Sequence, residues 1–418
     1  METNRESSAQ TLTAWYSIWW RPQATIKALL RRDVRTTTLI LAALAGIATT
    51  IGIGSMAPNL HWFALTTGAV LIGSVFGLLA LYVEGALLAW TGRPLGGRAS
   101  QSALRMAIAW AELPNVAALL IILATFAVFH QEFLRAYARV SGLGSPILDA
   151  VIVVLALLSL WAILLRVRTV GAVQQFGLVR SVTNVAAVLL MMAAAALSIR
   201  TFLFQPFVIS AGSMEPALRI GDYVFVDKRS YGYSRYSFPI DARFEGRLGG
   251  KAPARGDLIV FKLPSDPRID YVKRIIGLPG DEILMEGGVL HLNGKPVPKQ
   301  RSADFASSSW HGANDTILAF EESLPEGKTI TVLDSEPDGP FDTAGPFRVP
   351  AGHYFVMGDN RDNSVDSRDP QQVALIPADL VVGRVSLIYF SADEPRETES
   401  IANAFANIRW SRMFLAPE

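Results

Sequence analysis

"VISAGSMEPALRIGDYVFV", residues 208–226, follows closely on an apolar run long enough to cross a bilayer, and its reading decides the fold of all that comes after. "DYVFVD" (222–227) is a short β-branched and aromatic run of the kind that forms strands. Gly212, Ser213 and Pro216 lie in the turn before it, so a membrane half gives way to a β half near residue 205. Ser213, held just beyond the last apolar run, is a candidate protease nucleophile.

The two halves differ in composition. Of 418 residues, 50% are hydrophobic and 18% charged, which points to a membrane protein. The net charge of +1 gives no global signal for nucleic acid as a partner. Up to residue 205 there are 15 Lys/Arg against 7 Asp/Glu, and beyond it 23 against 30. The absence of cysteine excludes disulfides, thiolate metal sites and cysteine-protease chemistry.

Five stretches approach the roughly 20 apolar residues of a membrane span. They lie near 37–57, 65–90, 104–129, 147–166 and 182–204. Glu84 and Glu112 fall inside two of them and are expected to face the bundle interior as packing residues; an intramembrane function is the alternative. "ELPN" (112–115) interrupts the third span. Basic residues gather before the first span and after the second and fourth, so the N-terminus is expected in the cytoplasm and the β half outside it. The opening lacks a cleavable-leader pattern, so the first span is expected to direct insertion. "WYSIWWRPQATIKALLRRD" reads as an amphipathic helix lying in the membrane interface. Together with "TGRPLGGRASQSALRMAIAWAELPN" (91–115), it resembles the Yip1 family of multispan membrane domains over roughly 12–175.

The expected organisation is a cytoplasmic segment (1–36), a multispan domain (37–180), a final anchor (181–205) and an extracytoplasmic domain (206–418). "DLIVFKL", "YVKRIIG", "HYFVMGD" and "DLVVGRVSLIYF" read as further strands, giving a mainly antiparallel β domain. Gly-Gly and Asn-Gly in "DEILMEGGVLHLNGKPV" mark consecutive hairpins. Residues 235–256 and 300–346 are expected to be loops or insertions.

A serine nucleophile needs a base. His291, His311 and His353 are the histidines of the β half; His353, leading into "GDNRDNSVDSRD", is the best placed for a His-based triad. A lysine serves instead if burial lowers its pKa. Lys273 alternates with Tyr271 and Ile275 on one face of "DYVKRIIG", a pattern that equally suits an edge-strand lysine covering apolar surface. "DNSVD" (362–366) has a calcium-loop oxygen spacing without the glycine and glutamate that complete such a loop. "EGKTIT" contains Gly-Lys-Thr, but Glu322 stands where a phosphate loop needs its first glycine. Neither metal nor cofactor is expected.

"SAGSMEPAL" (210–218), "RGDLIVFKLPSDPRIDYVKRIIGLPGDEI" (255–283) and "GDNRDNSVDSR" (358–368), in this order after a membrane span, resemble bacterial type I signal peptidases over roughly 185–418. The resemblance implies a Ser-Lys protease that removes signal peptides from exported preproteins. It implies Ser213 as nucleophile, Lys273 as neutral base and Ser364 as the residue orienting the amine. Asp366 and Arg368 would form a supporting ion pair, and Met214 would keep water from the lysine. Ile209, Leu218, Tyr271 and Val272 would line the substrate pockets. Ala211 stands where many members carry a hydroxyl that helps bind the oxyanion. Preproteins, the lipid bilayer and the secretion machinery are the implied partners. The alternative is a membrane scaffold carrying a vestigial or single-substrate peptidase.

Overall fold

The computed structural model describes residues 13–54, 66, 68–138, 146–238, 242–307, 315–334, 336, 338–393 and 407–417. The chain divides into two compact units, Met1–Ala194 and Ala195–Glu418.

The first unit is helical. Among the described residues, five segments are long and apolar enough to cross a membrane: Arg35–Gly52, Ala69–Leu95, Gln101–Phe126, Pro146–Gln174 and Leu178–Leu203, the last ending in the second unit. The third is broken where the sequence suggested. Helix Gln101–Ala111 is capped at Glu112 and helix Leu113–Ala138 restarts with Pro114 in its first turn, where no amide hydrogen is needed. Glu84 and Glu112 do face the interior. Both bind Arg166: its Nη1 lies 3.0 Å from Glu84, and it also bonds Glu112, which accepts from Asn115 Nδ2 at 2.6 Å. Two helices approach closely through glycine, since a Cβ on Gly46 would lie 2.1 Å from the Gly73 carbonyl. Before them, 13–20 and Pro22–Leu29 are helical, burying Ile18, Ile26 and Leu29 and exposing Tyr16 and Trp20.

The second unit is built on a seven-stranded antiparallel sheet. Its strands, numbered here in chain order, are β1 (Phe204–Val208), β2 (Asp222–Asp227), β3 (Leu258–Leu263), β4 (Asp266–Gly277), β5 (His353–Met357), β6 (Ile376–Pro377) and β7 (Val381–Ser391). Their order across the sheet is β1-β2-β7-β3-β4-β5-β6. Two registers matter for the site: Ile259 pairs with Lys273, and Met357 with Arg274. Ile209, Met214, Leu218, Val224, Val226, Leu258 and Val260 share one buried cluster, which seats the Gly212–Met214 turn on the sheet.

The expected hairpins form. Glu282–Glu286 pairs with Val289–Leu292, and that strand with Lys295–Pro296. The pairs Gly287-Gly288 and Asn293-Gly294 supply the positive φ angles (55° and 73°, 52° and 74°) that two-residue hairpin turns require.

Residues 300–346 correct the loop expectation. They contribute much of a three-stranded sheet, ordered Thr329–Leu333, Ala319–Ser323, Lys299–Arg301, and a hairpin of Phe305–Ser307 with Asp315–Ile317. Glu321, Ser323 and Thr329 are exposed, while Ala319, Ile330 and Val332 are buried, as is the charged Glu322. Residues 235–256 hold a single helical turn, Arg235–Ser237, and no strand among the described residues.

Candidate active site

The turn bearing Ser213 is the crown of a loop closed at its base by two backbone bonds. Ile209 N donates to Asp222 O, and Gly221 N to Ile209 O, both at 2.9 Å. Gly221 has a φ of +84°, and a Cβ there would meet the Ala392 carbonyl at 2.0 Å, so glycine is required. Asn360 ties down the crown: its backbone N donates to Ser213 O at 3.1 Å and its Nδ2 to Gly212 O at 3.3 Å.

Strand β4 brings Lys273 to this turn. Nζ of Lys273 lies 2.6 Å from Ser213 Oγ. The lysine is only 3% exposed, whereas Ser213 is part-exposed. The amine is therefore sheltered, and the serine is partly open to solvent. Burial pulls the ammonium down to about 8; Asp366 and Asp359 oppose that pull, and Arg368 assists it. The Tyr271 ring, on the same face of the strand, has its centroid 5.6 Å from Nζ.

The loop 358–368 completes the surroundings. Asp366 is fully buried, and its carboxylate accepts from Arg368 Nε at 2.9 Å, Gly358 N at 2.9 Å and Ser364 Oγ at 2.7 Å. Burial alone would raise its pKa, but the Arg368 guanidinium and these donors hold it below the usual carboxylate value. Ser364 thus gives its proton to Asp366, leaving its oxygen as an acceptor. Gly358 is wedged between the two serines: a Cβ there would lie 2.2 Å from Ser364 Oγ and 2.6 Å from Ser213 O.

The other implied residues divide. Met214 is fully buried behind Ser213 and shares a cluster with Ile209, Leu218 and Val272. Ile209 and Leu218 are almost wholly covered and form the floor of this region, while Tyr271 and Val272 are part-exposed. Neither described histidine bonds Ser213: His291 and His353 each place Nδ1 against a carbonyl two residues away, Val289 at 3.3 Å and Ala351 at 3.1 Å. His311 lies outside the described residues.

Among the described residues, two buried ion pairs made by the loop 358–368 escaped the sequence reading. Arg274, next to Lys273, binds Asp359 in a fork with contacts of 2.7 and 2.6 Å. Arg361 binds Glu322, the residue that spoiled the phosphate-loop pattern, at 2.9 Å, and its Nε reaches Gly358 O at 3.2 Å. Both arginines sit in strings of charge in the sequence, "VKR" and "GDNRD", where charge alone does not name a partner. Asp362, of the dismissed calcium pattern, lies near Asp334 and Asp342, their ligand atoms all within 4.8 Å of one another. Lys299 bonds Asp334, and the Gly339 amide bonds Asp342 at 2.9 Å, so the chain itself meets part of that charge.

Residues 182–390 match the family described as signal peptidase, peptidase S26. The signal peptidase I of Rickettsia typhi (strain ATCC VR-144 / Wilmington) is 36% identical over 205 residues, covering 47% of this chain and 75% of that protein. That of Rickettsia akari (strain Hartford) has the same identity and coverage. A crystal structure of a signal peptidase I from Enterococcus faecalis V583 is 27% identical, covers 32% of this chain and 98% of its own, and has a TM-score of 0.20. The chain belongs to the signal peptidase family, peptidase S26, a family of serine proteases. It is an enzyme of the signal peptidase I type.

Proposed function

We propose that this chain cleaves signal peptides from exported preproteins with a Ser213–Lys273 dyad at the outer face of the cytoplasmic membrane. One observation carries the reading: a buried amine with a pKa lowered to about 8 lies 2.6 Å from a part-exposed serine hydroxyl. Lys273, uncharged, takes the Ser213 proton as Oγ attacks the scissile carbonyl. Its ammonium then gives that proton to the leaving amine, and water hydrolyses the acyl-enzyme. Ser364, anchored to the Asp366–Arg368 pair, offers its oxygen to the amine, and Met214 excludes water. The Ser213 amide is the oxyanion donor available from the turn, since Ala211 contributes no hydroxyl.

The five apolar helices, the basic residues before the first and the placement of Ser213 about nine residues past the last support the topology. Residues 181–205 anchor the peptidase domain (206–418) outside the cytoplasm, and an extended segment of that length holds Ser213 within about 30 Å of the bilayer. The substrate's apolar segment shares the membrane, so the two meet by lateral diffusion. Preprotein, bilayer and secretion machinery are the partners, and no cofactor enters the steps.

Incubating purified full-length protein with a signal-bearing preprotein, then sequencing the product N-terminus, tests the proposal. Wild type should release the mature N-terminus, whereas Ser213→Ala and Lys273→Met should not. Cleavage at the same bond by either variant would overturn the dyad.

A further inference from the structure

The C-terminal segment 407–417 has no part in the chemistry above, yet its arginines reach the loop that carries the nucleophile. Asp222, fully buried at the base of that loop, is their common target. Arg412 grips it with two contacts, Nη2 to Oδ2 at 2.6 Å and Nε to Oδ1 at 3.2 Å. The same Nη2 also donates to the Ala217 carbonyl at 2.9 Å. Arg409 lies 3.4 Å from Asp222 Oδ1 and donates to the Ile220 and Ala392 carbonyls. Ser391 Oγ and the Arg219 amide complete the set of donors to Asp222, at 2.6 and 2.8 Å. Around this knot the segment is stitched to β7: Phe414 N donates to Ile388 O at 2.7 Å, and Arg409 N to Ser391 O at 3.0 Å.

These bonds converge on residues 217–222, the returning limb of the loop 209–222. The outgoing limb carries Gly212, Ser213 and Met214, and Leu218 N donates to Met214 O at 2.8 Å. A guanidinium that bridges Asp222 and Ala217 O fixes the spacing between the loop's base and its returning limb. We propose that Arg412, with Arg409, is a positioning residue: by clamping Asp222 and the Ala217 carbonyl it holds the loop closed, fixes Ser213 against Lys273 and keeps water from the amine. The clamp lies in the second unit only, so every residue it needs is in the unit that bears the site.

The inference rests on the Ser213–Lys273 reading and has its own signature. The groups that act on the Lys273 amine are Ser213 from the loop, Tyr271 from its own strand, and the charged Asp359, Asp366 and Arg368 from 358–368; the proposed function adds Met214 from the loop and Ser364. Loosening the loop moves Ser213 and Met214 and admits water, while the charged groups stay in place. Rehydration returns a lysine towards its ordinary value, so the pH dependence of cleavage moves upward. A clamp that merely stabilised the fold would leave that dependence where it is.

The test compares full-length wild type, Arg412→Ala and Arg412→Lys on one preprotein, measuring kcat, KM, the pH profile and the thermal midpoint. Arg412→Ala should lower kcat by about 10²-fold, the cost of displacing a reacting group by about 1 Å. Its KM should change much less, its pH limb should move up, and its thermal midpoint should fall. Arg412→Lys keeps a cation beside Asp222 but has no planar fork to bridge two acceptors. It should recover the thermal midpoint while kcat stays low and the limb stays displaced. An unmoved limb, or recovery of kcat by lysine together with the midpoint, would overturn the proposal. If Arg412→Ala does not fold, Arg412→Lys decides by the same two readouts. Ser213→Ala, run alongside, tests the dyad separately: cleavage by that variant removes the dyad whatever Arg412 does.

Discussion

Cleavage should follow the neutral fraction of one amine. Lys273 is brought from 10.5 to about 8 by burial, against the pull of Asp366 and Asp359. At pH 7 about one-tenth of such an amine is uncharged, whereas a lysine at its ordinary value would be about 0.03% uncharged. The lowered pKa thus enlarges the reactive population by about 300-fold at pH 7. Single-turnover cleavage of a preprotein by reconstituted full-length enzyme should rise about tenfold per pH unit below the limb and level off above about pH 8. Lys228 is a necessary control, because burial also brings it to about 8. Its Nζ bonds the Ser237 carbonyl at 2.9 Å, an acceptor with no proton to give, so Lys228→Met should leave the limb in place. A limb near pH 6.5 would indicate histidine as the base. One that climbs until pH 10 would mean an amine in contact with water. Either result refutes the reasoning.

Three further outcomes follow from the same contacts. Lys273→Met should stabilise the second unit at pH 7 by up to about 3 kcal/mol, because the native pKa of the lysine lies below its unfolded value. The unfolded chain binds the extra proton between about pH 8 and 10.5, so the gain should be full below about 8 and shrink towards zero above 10.5; hydrogen exchange in β4 at several pH values would measure it. Gly358→Ala should cost about 10²-fold in kcat with little change in KM, since its methyl would collide with Ser364 Oγ and the Ser213 carbonyl. Asp366→Asn leaves Arg368 buried without its partner and should destabilise by about 3–5 kcal/mol. Because Asp366 raises the Lys273 pKa, any remaining activity of that variant should show its limb below about 8.

The hairpins were readable because Gly287-Gly288 and Asn293-Gly294 must adopt positive φ, a demand visible in the residues themselves. Ser213 and Lys273 could be picked out, but only through three motifs taken together; the strand pattern around Lys273 left an edge lysine equally open. What stayed hidden depends on partners far apart in the chain. The 2.6 Å contact closes 60 residues, the Arg361–Glu322 pair 39, and the Arg274–Asp359 pair 85. Ala319–Ser323 was disguised because its inward face carries the charged Glu322, and Thr329–Leu333 because five residues inside a Gly- and Asp-rich stretch make a weak signal. Glu84 and Glu112 could be placed inward by the cost of charge in an apolar span, but nothing local identified Arg166 as the side chain that binds both.

The most direct measurement traps the covalent intermediate. Acid quenching of wild-type protein early in its reaction with a preprotein, then digestion and mass spectrometry, should find the released signal peptide as an ester on the fragment containing Ser213. The same adduct should be missing from both Ser213→Ala and Lys273→Met. An acyl group on any other side chain, or product formed with no ester at any time, would contradict the account.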